Sequence, residues 1–182
     1  AAAAAHAGLG RARGRRGCRL ATIAAVTPAL PSFDLTTDQP PLRTHELAVP
    51  GGPVSGHPSG HVLFVREWGS PDGEPALLLH GGPGSGCSPL LWRMFDPRRY
   101  RVIAPDQRGA GLSRPAGEVA HNTTADLLAD LRLLRKQLGI ERWLVVGGSW
   151  GATLALAYAA DEPQAVRGLL LRAVFLARRE DI

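Results

Sequence analysis

Cysteine is scarce in this chain, with only Cys18 and Cys87 among 182 residues. Two thiols cannot build a disulfide framework, and neither has metal-ligand neighbours, so two unpaired thiols in a reducing compartment are expected and no metal. No apolar run reaches the roughly 18 residues that a membrane-spanning helix needs. Aromatic residues make up only 5%, so Val, Leu and Ala carry most of the apolar share. At 45% hydrophobic and 20% charged, that share suffices for one soluble domain with its own core. Acidic residues are missing from the first 33 positions, which hold Arg11, Arg13, Arg15, Arg16 and Arg19. Set those five aside, and the sixteen remaining Lys and Arg balance the sixteen Asp and Glu. The net charge of +5 therefore belongs to a tail, and the body shows no bias toward nucleic acid.

Residues 1–35 are Ala-, Gly- and Arg-rich. The arginines, then Leu20–Val26, then Thr27-Pro28-Ala29-Leu30 follow the order of a secretory signal. The apolar stretch is short, is interrupted by Thr22 and ends at Thr27, so a disordered tail fits the composition better. The folded part is expected over 36–182.

There the pattern changes. Thr44–Val49 and Val62–Trp68 read as an antiparallel pair at a sheet edge, separated by Gly, Pro and Ser. Ala76–Leu79, Tyr100–Pro105 and Trp143–Val146 are unbroken apolar runs, as in strands covered on both faces, and Gly168–Val174 adds a last candidate. Between them Leu127, Leu128, Leu131, Leu134 and Leu138 form a helical stripe. Asn122, Thr123 and Thr124 offer N-cap oxygens, Asp126 suits the positive helix end, and Gly139 stands at the C′ position. The Asn122 sequon is better explained by this cap than by glycosylation. A second helix is predicted from Trp150 to Ala160, before Pro163. Strands alternating with helices predict an α/β fold with a mostly parallel sheet flanked by helices.

Chemistry concentrates in three loops. Gly147-Gly148-Ser149-Trp150-Gly151 matches G-x-S-x-G, follows an apolar strand and opens a helix, the context of a nucleophile elbow. The small neighbours let strand and helix approach, and Ser149 would project at the positive end of the helix. His80-Gly81-Gly82-Pro83-Gly84-Ser85-Gly86 follows another strand. Its glycines leave backbone N–H groups free, which assigns the amides of Gly82 and Trp150 as oxyanion donors. Neither a phosphate-binding loop nor a dinucleotide fingerprint fits, since G-x-x-x-x-G-K-[ST] is absent and the glycine spacing is wrong. His80 is expected to be a structural hydrogen-bonder. In Asp106–Pro115, Asp106 and Arg108 are expected to buttress the oxyanion loop.

His80, Asp106 and Ser149 do occur in the His–Asp–Ser order of trypsin-like enzymes, but the strand–helix alternation is wrong for that fold. In α/β-hydrolases the order is Ser, acid, His, and all six histidines here precede Ser149. The triad base is therefore expected to be missing from these 182 residues. So is the acid, unless one of Asp161, Glu162, Glu180 or Asp181 serves, none of which sits at a plausible strand end.

Together these stretches resemble the proline iminopeptidase (prolyl aminopeptidase) family of the α/β-hydrolase superfamily. The matching residues are His80–Gly84, Asp106–Pro115, Asn122-Thr123-Thr124 with Asp130, Leu138-Gly139-Ile140, Gly147–Tyr158, Leu169–Arg172, and Phe175-Leu176 with Arg178-Arg179. The resemblance runs from about residue 40 to the last residue. It implies an α/β-hydrolase sheet cut after about the sixth strand, without the helical cap and the C-terminal part. It also implies cytoplasmic release of N-terminal proline from short peptides by an acyl-enzyme route through Ser149. No metal, cofactor, nucleic acid or membrane partner is implied. The Trp150 ring would line the pyrrolidine pocket. The resemblance further implies that these residues alone are inactive, because the base and the cap recognition groups are absent. An esterase of the same fold is the nearest alternative, and a non-catalytic binding module is the alternative from another class. Dehalogenases and epoxide hydrolases are disfavoured, because they use Asp where this sequence has Ser149.

Overall fold

The computed structural model describes residues 40–51 and 60–176. Expectations for the tail, Cys18 and Arg178-Arg179 fall outside them.

Six strands form one sheet: β1 Arg43–Ala48, β2 Val62–Gly69, β3 Glu74–Leu79, β4 Tyr100–Pro105, β5 Trp143–Gly148 and β6 Val166–Arg172. Their order is β1-β2-β4-β3-β5-β6. The pairs β1–β2 and β2–β4 are antiparallel, whereas β4–β3, β3–β5 and β5–β6 are parallel. The antiparallel pair predicted at the edge is there, with β2 carrying the change of direction into the parallel part.

Alternation along β3 divides the core. Leu77 and Leu79 join the cluster that contains Leu127, Leu131 and Leu134 of α2 (Thr124–Gln137) and Leu154 and Tyr158 of α3 (Trp150–Asp161). Ala76 and Leu78 join a second cluster with Trp92 of α1 (Pro89–Trp92) and Phe95. Successive strand residues point to opposite faces, so both faces of β3 are covered. That is why the strand reads as an apolar run without alternation.

Helix α2 holds to its sequence pattern. Leu127, Leu131 and Leu134 are buried on one side, and each stabilises by about 1.5–3 kcal/mol. Its N-cap is Thr123 alone, in a reciprocal capping box with Asp126. Asn122 instead donates to the carbonyls of Arg108 and Glu118. Gly139 has a φ of +64°, the left-handed geometry expected at C′.

Strand β3 precedes both of its neighbours in the chain. The chain leaves it toward β4 on one side, then crosses back to β5 on the other. A crevice at the carboxyl ends of such strands is where open α/β sheets place their ligands. Among the described residues no helix is long and apolar enough to cross a membrane.

Candidate active site

Three segments meet at the carboxyl ends of β3, β4 and β5. The first is the turn from β5 into α3. Ser149 sits there with φ +55° and ψ −124°, a conformation that costs an L-residue of order 1–3 kcal/mol. Its backbone N–H donates to Arg172 O at 3.0 Å, which ties the turn to β6. The glycines around it answer to space. A Cβ on Gly147 would overlap the Gly151 carbonyl, and one on Gly151 would overlap the carbonyl of Leu79. Strand, turn and helix can approach this closely only without side chains at those two positions. The result is an exposed Ser149 whose hydroxyl makes no cap hydrogen bond to its own helix.

The second segment is the loop after β3. Gly81 packs directly on Ser149: a Cβ built on it would lie 3.2 Å from Ser149 Cβ and 3.8 Å from Oγ. The Gly81 carbonyl turns the other way, accepting from Ser85 Oγ at 2.8 Å and lying 2.9 Å from His80 Nδ1. In a trans peptide the next N–H points opposite to that carbonyl, so the Gly82 amide faces away from His80. Among the described residues neither Gly82 N–H nor Trp150 N–H has a hydrogen-bond partner. Trp150 opens α3, where the first amides lack intrahelical acceptors.

The third segment follows β4. Asp106 is fully buried and accepts from Cys87 N at 2.6 Å, Leu112 N at 2.9 Å and Arg66 Nη1 at 3.1 Å. It thus holds the end of the Gly-rich loop, as expected. Arg108 departs from expectation. Its guanidinium bonds to Asp130, His121 O and Pro50 O, none of them in the loop after β3. A carboxylate on α2 and two free carbonyls outcompete the oxyanion loop for it.

His80 is structural in its geometry. It is fully buried, and its Nε2 accepts from Gln107 N at 2.9 Å, so Nδ1 carries the proton donated toward the Gly81 carbonyl. Burial holds its pKa below the usual histidine value, against the opposing pull of that carbonyl and of the Asp106 charge. The Cys87 thiol is likewise pushed far up by burial and stays protonated. Among the described residues no histidine is hydrogen-bonded to Ser149, and none forms part of a group that could hold a metal ion.

The residue that sequence reasoning passed over is Gln107. It is 5% exposed; its Oε1 accepts from Trp150 Nε1 and its Nε2 donates to His80 O, both at 2.9 Å. Its position between Asp106 and Arg108, inside a loop read as a polar turn, was the only available signal.

A cleft of about 660 Å³ opens beside Ser149, walled by Leu90, Met94 and Leu170, with Gly81, Ser85 and Arg172 at its polar side. Trp150 instead borders a neighbouring depression of about 590 Å³ with Gln107, Pro83 and Gly84. The arrangement offers an exposed hydroxyl at the start of a helix, two unpartnered amides nearby and an apolar-walled cleft. Those are the parts needed to attack a carbonyl and hold the resulting anion.

Residues 75–179 match a family model described as the alpha/beta hydrolase fold. A proline iminopeptidase from Xanthomonas citri is 51% identical over 122 residues, covering 67% of this chain and 39% of that protein. One from Arabidopsis thaliana is 52% identical over 122 residues, with 67% and 32% covered. The chain thus spans about two fifths or less of the length of these curated relatives. Among solved structures, a proline iminopeptidase-related protein from Thermus thermophilus superposes with a TM-score of 0.55 at 32% identity, over 71% of this chain and 44% of that one. An epoxide hydrolase mutant from Vigna radiata gives 0.60 at 27% identity, over 75% and 40%.

Proposed function

The chain belongs to the alpha/beta hydrolase fold family, and from that premise we propose that it carries the nucleophile of a serine aminopeptidase that releases N-terminal proline from short peptides. The observation that carries the reading is Ser149 itself: an exposed hydroxyl in a strained turn, with Gly81 packed against it. The identity of about half to proline iminopeptidases across this region supports the choice of substrate.

In this reading Ser149 Oγ attacks the carbonyl carbon of the terminal proline and loses its proton to a base. The amides of Gly82 and Trp150 donate to the oxygen that becomes negative, aided by the positive end of α3. The base returns the proton to the leaving amine as the C–N bond breaks. Water then cleaves the prolyl ester, freeing proline and restoring the hydroxyl. No described histidine serves Ser149, so base and acid come from outside the described residues, as do groups that recognise the imino terminus. The reading includes cytoplasmic action without metal or cofactor, and inactivity of these 182 residues in isolation.

The test uses the whole gene product with prolyl peptides and a p-nitrophenyl ester. Ser149→Ala should lower kcat/KM for proline release by roughly 10⁴-fold or more, given what loss of a nucleophile costs other serine hydrolases. Residual proline release near the wild-type rate in that variant sinks the reading. Ester cleavage without proline release favours the esterase alternative. Efficient turnover by residues 1–182 alone would overturn the claim that the fragment is inactive.

A further inference from the structure

We infer that Gln107 is a positioning residue whose side-chain amide sets the distance between the two proposed oxyanion donors, an inference that rests on the serine-hydrolase reading above. The amides of Gly82 and Trp150 lie on loops leaving different strands. The β3–β5 register ends at Leu79 opposite Gly147, so the ladder itself does not reach them. Beyond it, Gln107 joins the two sides through one rigid planar group. Its carbonyl takes the Trp150 indole N–H, and its NH2 reaches the His80 carbonyl, both at 2.9 Å. Its backbone N–H adds a third bond, to His80 Nε2. His80 passes the constraint on through Nδ1 to the Gly81 carbonyl, and that carbonyl fixes which way the Gly82 amide faces.

The chemistry of the bridge is specific. One end must accept, because an indole N–H only donates; the other must donate, because a backbone carbonyl only accepts. A primary amide presents an acceptor and a donor side by side on one planar group at neutral pH, whereas a carboxylate only accepts and an ammonium or guanidinium only donates. A buried amide is costly to bury unless both ends are satisfied, and here both are. Gln107 touches neither Ser149 nor the cleft beside it. Its effect reaches the reacting atoms only through Trp150 and His80.

The experiment compares Gln107→Leu and Gln107→Glu with wild type in the whole gene product, using a p-nitrophenyl ester across a range of pH. Oxyanion donors act on the tetrahedral intermediate rather than on bound substrate. Gln107→Leu should therefore lower kcat about 10–100-fold while KM stays within about twofold. The carboxyl of Gln107→Glu mimics the amide only when protonated, with C=O accepting and O–H donating; ionised, it has no donor. Burial raises the pKa of such a carboxyl. The kcat ratio of that variant to wild type should then climb as pH falls through the new group's titration. A glutamine that merely stabilises the fold gives a ratio independent of pH among properly folded proteins. An unchanged kcat in Gln107→Leu, or a loss confined to KM, overturns the inference. So does a flat ratio in Gln107→Glu, which decides the matter alone if the Leu variant does not fold. Because the reporter is an ester, a wild type that cleaves it but releases no proline ends the iminopeptidase reading and leaves this test intact.

Discussion

Arg108 and Asp130 form a closed two-point ion pair inside the protein, with Nε and Nη2 of the arginine 2.7 and 2.6 Å from the two carboxylate oxygens. Both side chains are almost excluded from solvent. The same guanidinium also holds His121 O and Pro50 O. One charge thus joins the connection after β1, the loop after β4 and the first turns of α2. Asp130→Ala would break the two-point pair and leave the buried arginine with only the partly exposed Asp126 carboxylate, 4.0 Å away, as counter-charge, which should cost about 3 kcal/mol. Denaturant unfolding measures this directly. A cost under about 1 kcal/mol would show that water reaches the guanidinium and that the pair is not closed.

His80 should remain neutral in the folded protein as the solution becomes mildly acidic. Its folded pKa lies below the unfolded value of 6.5, chiefly through burial. Below pH 6.5 the unfolded chain therefore binds a proton that the folded one resists. Stability from this site is complete above that pH and declines as pH falls toward the folded pKa. Nitrogen-15 NMR of the imidazole should show the proton on Nδ1 and an unprotonated Nε2, with no titration near pH 6.5. A normal titration there would mean that the Gln107 N–H is not bonded to the ring.

Glu67 predicts the acid limit of the sheet edge. It is fully buried between β1 and β4 and takes two bonds from Arg101, at 2.6 and 2.8 Å, and one from His45 at 2.7 Å. Burial alone would raise its pKa, but the bonds from Arg101 and His45 outweigh that and hold it below 4.5. A lowered carboxylate contributes stability that is present above the unfolded pKa and lost as pH falls through the folded one. Melting temperature should fall below about pH 4.5 more steeply in wild type than in Glu67→Gln, which starts lower and changes less. Parallel curves for the two proteins would remove Glu67 from the acid transition.

Much of this was legible in the sequence, for identifiable reasons. Ala76–Leu79 and Trp143–Val146 announce themselves because strands covered on both faces are continuously apolar. The elbow at Ser149 is legible because Gly147 and Gly151 are demanded by backbone contact, a requirement local enough to leave a fixed spacing. The role of Arg108 was not legible. Its partner Asp130 lies 22 residues further on, in the following helix, and the choice between that carboxylate and the nearby loop is made by packing. Gln107 was missed for the same reason: its bonds run to segments that precede and follow it by 27 and 43 residues, and neither spacing is a pattern. Helix α1 was missed because four residues are too few to show a period.

The strand order has a consequence for when chemistry becomes available during synthesis and folding. Ser149, Gly81 and Gln107 belong to segments that are remote along the chain and adjacent only after β4 and β5 have settled on opposite sides of β3. Such non-local parallel pairing is entropically late, since the intervening loops must close before any contact rewards them. A chain emerging from the ribosome as far as β4 has the Gly-rich loop but no hydroxyl beside it. One that has just added the elbow still lacks the β6 carbonyl that fixes Ser149 N. The Ser149 hydroxyl, the proposed nucleophile, thus acquires its setting only at the end of assembly, and nascent or nicked chains carry it outside that setting.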